Sequence, residues 1–243
     1  MEASLQPYLL LDAGGTIVFP DFALFREVIL TQGVDVEEER LKRIATEWIR
    51  RLDELLRQRQ DPSGLTDILQ DVLERAGVPQ ASVPALRAQL EEMDRRQSLW
   101  SATYPWVRGA LDRLSAAGLR ASVISNADGR VSQQLDALDY LRYFEQVFDS
   151  RVVGYEKPDV RLFQHALQAL GLRPEQCLFV GDVYYIDVLG ANRAGIAAVH
   201  LDPYGLYADW EGCRIPSIAA LPDLLADPQL DLRSDRFFPL RTT

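Results

Sequence analysis

The chain has 243 residues, enough for one packed core plus an insert. Its 47% apolar and 26% charged residues describe an ordinary globular protein, and a formal net charge of −10 argues against a general nucleic-acid binder, which needs clustered Lys and Arg. No stretch approaches the ~20 apolar residues that span a bilayer, so no membrane partner is expected.

Met1–Pro7 has neither the basic start nor the apolar run of a signal peptide, and a cytoplasmic protein is expected. Tyr8–Leu11 is a short apolar run ending in Asp-Ala-Gly-Gly-Thr, the pattern of a buried strand entering a tight loop. From about Phe22 to Trp100 the sequence has helical period and little strand character. Leu41, Ile44, Trp48, Leu52 and Leu55 recur at spacings of three and four, one face of an amphipathic helix, with Glu38, Glu39, Arg43, Arg50 and Arg51 on the wet side. Leu65–Ala76 repeats the pattern before the stop signals Gly77 and Pro79, and Pro84–Trp100 reads as a further helix.

From Val107 onward, strands and helices alternate. Arg120–Ile124, Gln146–Phe148, Cys177–Val180 and Ala197–Leu201 read as buried strands. Val107–Ala117, Val131–Leu138, Val160–Leu170 and Asp187–Ala194 read as the helices between them. Such alternation implies an α/β fold with a doubly wound parallel sheet, and ligands bind at the carboxyl ends of its strands. Tyr8–Leu11 finds partner strands only if the helical block is an insertion. The expected domains are therefore a core of residues 1–21 and 101–243 and a helical cap of residues 22–100. After Asp202 the chain is loop-rich, with a short helix near Ile218–Ala226 and a tail that carries Phe237-Phe238-Pro239.

Two cysteines, Cys177 and Cys213, do not make a disulfide framework. His165 and His200 lack metal-ligand spacing, so zinc is not expected. Among 26 basic residues only Lys42 and Lys157 are lysines.

Four elements sit at or just after the expected strand ends: Asp12-Ala13-Gly14-Gly15-Thr16, Ser125-Asn126, Lys157-Pro158-Asp159, and Gly181-Asp182 with Asp187 beyond. Each alone has a structural reading: Asp12 or Asp182 as a cap, Ser125 and Asn126 as loop-amide partners, Lys157 as a solvated lysine. Their shared placement favours chemistry. Asp12, Asp182 and Asp187 supply the oxygens preferred by a hard cation such as Mg²⁺. Lys157 and the Ser125 hydroxyl can hold phosphoryl oxygens while the Asp12 carboxylate attacks phosphorus. The cation would screen charge between the two and orient the transferring group.

On these residues the chain resembles the haloacid dehalogenase (HAD) superfamily, in the branch with a helical cap after the first motif, from about Tyr8 to Ala226. Leu9–Thr16 looks like the first motif, Val123–Asn126 the second, Lys157-Pro158 the third and Val180–Asp187 the fourth. The resemblance implies a Rossmann-like core and a magnesium-dependent hydrolase, a phosphatase acting on a small phosphorylated metabolite. It makes Asp12 the nucleophile and a metal ligand, Ser125 and Lys157 the phosphoryl-binding pair, and Asp182 and Asp187 further ligands with the carbonyl of Gly14. Thr16 and Asn126 are the expected additional substrate contacts. The oligomeric state is not set by the sequence.

One position departs from the pattern. Phosphatases of this family usually carry a second aspartate two residues after the nucleophile, as general acid and base; here it is Gly14. That catalysis is typically worth about 10²–10⁴ in rate. Asp21, Asp128 or water are the substitutes on offer. Dehalogenases of the superfamily also lack the acid, in which case Arg43 would bind halide. Phosphonate-cleaving members need a cap lysine, for which Lys42 is the candidate. A binding protein without turnover is a further reading. A phosphoryl hydrolase ranks first, a binding protein second and a dehalogenase third.

Overall fold

The computed structural model describes residues 6–239, and the chain divides into two compact units, Met1–Val18 with Thr103–Thr243, and Phe19–Ala102. In chain order the first element is β1 (Tyr8–Leu11), buried along its whole length. A strand covered on both faces has no polar face to show, which is why its sequence runs apolar without alternation.

The second unit opens with β2 (Phe19–Pro20) and continues through α1 (Phe22–Leu30), α2 (Glu38–Arg57), α3 (Ile68–Ala76) and α4 (Val83–Arg96). It closes with β3 (Trp100–Ala102), antiparallel to β2. Asp21 caps α1 by accepting from the Leu24 amide at 3.1 Å. Asp67 caps α3, which ends at Gly77 in the left-handed conformation that glycine adopts without penalty. Phe25, Ile29, Leu41, Leu73 and Leu90 form this unit's own core.

Two expectations change here. The apolar stripe of α2 is buried only at Leu41 and Ile44; Trp48, Leu52 and Leu55 are half-buried, while Asp53 is enclosed. The helix expected to reach Trp100 stops at Arg96. There the Asp94 carboxylate accepts from the Leu99 amide at 2.8 Å, turning the chain so that Trp100–Ala102 can pair with Phe19–Pro20.

The first unit resumes with α5 (Pro105–Ala116), β4 (Ala121–Ser125), α6 (Val131–Ala137), β5 (Val147–Asp149), α7 (Ser150–Val153), α8 (Val160–Leu170) and β6 (Cys177–Gly181). A π-helical turn at Tyr184–Val188 leads into α9 (Leu189–Arg193), followed by β7 (Ala197–Leu201), β8 (Cys213–Ile215) and α10 (Leu221–Leu225). The six strands order as β5-β4-β1-β6-β7-β8 with parallel pairing throughout. This is the expected doubly wound α/β sheet. β4 and β5 lie to one side of β1, and β6, β7 and β8 to the other. The order therefore reverses at β1, and a crevice at such a reversal is where α/β sheets bind ligands.

Strand β8 lies in a stretch read as loop. The C-terminal tail is also anchored: Phe237 is fully buried, and its carbonyl accepts from the Asn192 amide at 2.9 Å.

Candidate active site

Asp12 leaves the end of β1 with its amide bonded to the Val180 carbonyl at 2.9 Å, so the backbones of β1 and β6 fix where its side chain starts. The loop then folds back on Ala13, whose carbonyl accepts from the amides of Ile17 and Val18 at 2.9 Å. Gly15 makes this turn possible with φ +66°, and a Cβ there would lie 2.0 Å from Asp182 Oδ2. Asp182 follows β6 and thus rests against the Asp12 loop. Gly181 does the same service for the neighbouring acid, since a Cβ there would meet Asp187 Oδ2 at 2.4 Å.

Asp187 lies in the π-helical turn, and its Oδ2 accepts from the Val183 amide at 2.9 Å. An extra residue in a helical turn re-aims side chains, and such turns recur at functional sites. The His200 ring on β7, enclosed in the core, hydrogen-bonds through Nε2 to the Asp182 carbonyl at 2.9 Å. Oxygens of Asp12, Asp182 and Asp187 all come within 4.8 Å of one another.

Lys157 reaches this cluster from the loop between α7 and α8. Its ammonium donates to Asp12 Oδ1 and to Asp187 Oδ1, both at 2.7 Å, and its side chain is 2% exposed. Asn126 steers it: the side-chain amide donates to the Lys157 carbonyl at 2.8 Å and accepts from the Lys157 amide at 2.7 Å. Ser125, at the buried end of β4, has its hydroxyl close enough to help hold Asp12 in its charged form. The loop that follows is tied down by Asp149, which accepts from the Gly129 amide at 3.0 Å, and by Ser150 beneath Ala127.

The electrostatics follow from three carboxylates meeting one ammonium away from water. Burial pushes the Asp12 carboxyl up to about 6; Lys157 pulls it down and Asp187 pushes it further up. Burial, then Asp187 and Asp12, hold Asp182 well above the usual carboxylate range. Burial works against the charge on Lys157, but Asp12 and Asp187 outweigh it and raise its pKa. One cation is too few for three acids. Oxygen-only donors with surplus negative charge are the set that a hard divalent ion fits.

The structure thus brings Asp12, Ser125, Lys157, Asp182 and Asp187 together and removes the bland alternative for several of them. Lys157 is not a solvated loop lysine. Asp182 does not cap the following turn, whose N-cap position is Val183. Asn126 uses both amide atoms on the Lys157 backbone, and Thr16 is fully enclosed with its hydroxyl unpartnered. Gly14 pairs with Val18 in an isolated bridge and lies outside the left-handed region. The two side chains considered as substitutes for its missing acid are otherwise engaged. Asp21 caps α1, and Asp128 pairs with Arg130 at 2.5 Å, which holds its carboxyl below the usual range. Arg43 is exposed and pairs with Glu47 at 3.2 Å; Lys42 lies 3.8 Å from Glu39. Sequence reasoning assigned no site role to Asp149, Ser150 or His200, and it quoted Gly15 and Gly181 without seeing the space they leave for the acids. Only the glycines carried a signal, as residues of tight turns.

A family model described as haloacid dehalogenase-like hydrolase matches residues 8–195. The chain belongs to this family. Among curated relatives, a glyceraldehyde 3-phosphate phosphatase of Methanothermobacter thermautotrophicus is 37% identical over 99 residues, 40% of this chain and 43% of the relative. A phosphoserine phosphatase of Thermus thermophilus is 32% identical over 158 residues, covering 65% of this chain and 59% of the relative. The chain spans about half the length of the curated relatives it matches. The magnesium-bound putative HAD-hydrolase YfnB of Bacillus subtilis superposes with a TM-score of 0.61 at 17% identity, covering 90% of this chain and 98% of that one. At such identity the likeness speaks for the fold alone. Among the described residues, no helix is long and apolar enough to cross a membrane.

Proposed function

We propose that this HAD-family protein is a magnesium-dependent phosphoryl hydrolase that acts on a small phosphorylated metabolite. The observation that carries this reading is the Lys157 ammonium bridging Asp12 and Asp187 at 2.7 Å inside a three-carboxylate cluster at the strand ends. Asp12 is the nucleophile: its carboxylate attacks phosphorus and forms an aspartyl-phosphate, which water then hydrolyses. Lys157 neutralises the approaching phosphoryl oxygens and orients Asp12. Ser125 donates to one of those oxygens. Asn126 holds the Lys157 backbone, and Thr16 closes the nucleophile loop as an enclosed residue with its hydroxyl unpartnered. Asp12, Asp182 and Asp187, with the carbonyl of Gly14, would hold magnesium, which supplies charge screening between carboxylate and phosphate. In this reading residues 22–100 are a cap that selects the substrate. A cytoplasmic location accords with Cys177 and Cys213, both buried as free thiols.

A panel of phosphorylated metabolites and 2-haloacids, each with and without magnesium, tests the reading. Magnesium-dependent phosphate release, abolished by Asp12→Asn, is the expected result. Metal-independent halide release would instead identify a dehalogenase, and saturable ligand binding without release a binding protein.

A further inference from the structure

Hydrolysis through Asp12 needs protons moved twice. An alkoxide leaving group must gain one, and the water that attacks the aspartyl-phosphate must lose one. The groups beside Asp12 are poorly placed for either task. Lys157 is an ammonium held by two carboxylates and has no lone pair to accept a proton. Asp182 and Asp187 are committed to the acidic cluster, and Asp187 is further engaged by the Val183 amide. His200 lies in the core with Nε2 on the Asp182 carbonyl and its ring edge-on to Tyr184 and Tyr207, 5.4 and 4.4 Å away. The residue two beyond the nucleophile, Gly14, has no side chain, and Asp128 is tied to Arg130.

We propose that Asp12 is a long-lived phosphorylation site, loaded by acyl and aryl phosphates and discharged slowly because, among the described residues of its own unit, no side chain beside it is placed to take the proton of the attacking water. This rests on the phosphoryl-hydrolase reading above and names its substrate class. In the first step a bond forms between Asp12 oxygen and phosphorus while the phosphorus–oxygen bond to the acyl or aryl group breaks. The electron pair leaves with a carboxylate or phenolate, which needs no proton. In the second step water oxygen bonds to phosphorus, the Asp12–phosphorus bond breaks, and the pair returns to the carboxylate. The water proton ends on a phosphate oxygen or in solvent. Loading is thus unimpeded and discharge is unassisted, so the phosphorylated form accumulates.

The test incubates the full chain with acetyl phosphate and magnesium chloride, quenches in acid, and measures intact mass. The expected result is a gain of one phosphoryl group that outlasts removal of the donor. Borohydride, which reduces an aspartyl-phosphate to homoserine, should mark position 12 in the wild-type chain, so the site assignment does not depend on a variant that folds. Asp12→Asn should show no gain. With p-nitrophenyl phosphate, about one equivalent of phenolate should be released in a burst, followed by slow turnover. Gly14→Asp should shorten the adduct's lifetime, by up to about 10²–10⁴. Rapid multiple turnover of acetyl phosphate or alkyl phosphates with no adduct would overturn the proposal and leave the hydrolase reading standing. Reduction at any residue other than Asp12 also overturns it. Neither adduct nor phosphate release from any donor would overturn both.

Discussion

Gly15 and Gly181 explain at the level of single atoms why this site can crowd its acids. Each occupies a spot where a Cβ would collide with the carboxylate of Asp182 or Asp187. The sequence shows the two glycines as turn residues, but not which carboxylates use the space, because that depends on β1 and β6 lying side by side. Gly15→Ala should therefore do more than add left-handed strain of roughly 1–2 kcal/mol. It should displace Asp182 and sharply weaken the magnesium-induced rise in melting temperature. A folded variant with unchanged magnesium affinity would show that the close approach has no functional weight. Asn126, expected from sequence to contact substrate, also has a positioning geometry in the structure. With both amide atoms on the Lys157 backbone, Asn126→Ala should lower kcat rather than raise KM alone, and cost about 1 kcal/mol of stability per lost bond. A pure KM effect would return Asn126 to direct substrate contact.

At the scale of elements, what was legible followed from burial. β1 and β6 are continuous apolar runs, β4 and β7 are buried runs broken only by serines and His200, and each lies within about a residue of its expected place. The short elements were not legible. β8 has only Cys213-Arg214-Ile215 to show, between glycine and proline, and no period can be counted in three residues. Of the π-helical turn only Asp187 and Val188 were read as helix, as the start of an ordinary one, since an inserted residue leaves no mark on composition. Yet this turn carries Asp187, and with the end of β6 it carries two of the three clustered acids. If these elements form one ion site, magnesium should raise the melting temperature through preferential binding to the folded state. Asp182→Asn should remove most of the shift while the far-ultraviolet circular dichroism stays unchanged. A full shift in that variant would put the ion elsewhere.

Across the whole molecule, the sequence reports two kinds of pattern, and among the described residues each unit has a hydrophobic cluster of its own. One packs against a face of the sheet, with Leu10, Phe163, Phe179 and Ala198 among its members; the other lies among the helices of residues 19–102, around Leu41 and Leu73. The tail gave no periodic signal because it contributes by anchoring rather than by forming an element: Phe237 is fully buried, while Asn192 holds its carbonyl and the Ile196 carbonyl. The separation of cores leads to a directional expectation. Leu73→Ala empties a fully enclosed position among the helices and should cost about 2–5 kcal/mol there, whereas Phe237→Ala should cost about 3–5 kcal/mol in the sheet-containing unit. Amide hydrogen exchange resolves where each loss falls. Because the clustered acids all belong to the sheet-containing unit, Leu73→Ala should speed exchange in α2, α3 and α4 yet leave magnesium protection at the ends of β1 and β6 intact. Phe237→Ala should instead loosen α9 and β7, which adjoin the tail through Asn192 and Ile196, and weaken that protection. If Leu73→Ala abolished magnesium protection as fully as Phe237→Ala, the two units would behave as a single cooperative one, and the expectation of separate responses would fail.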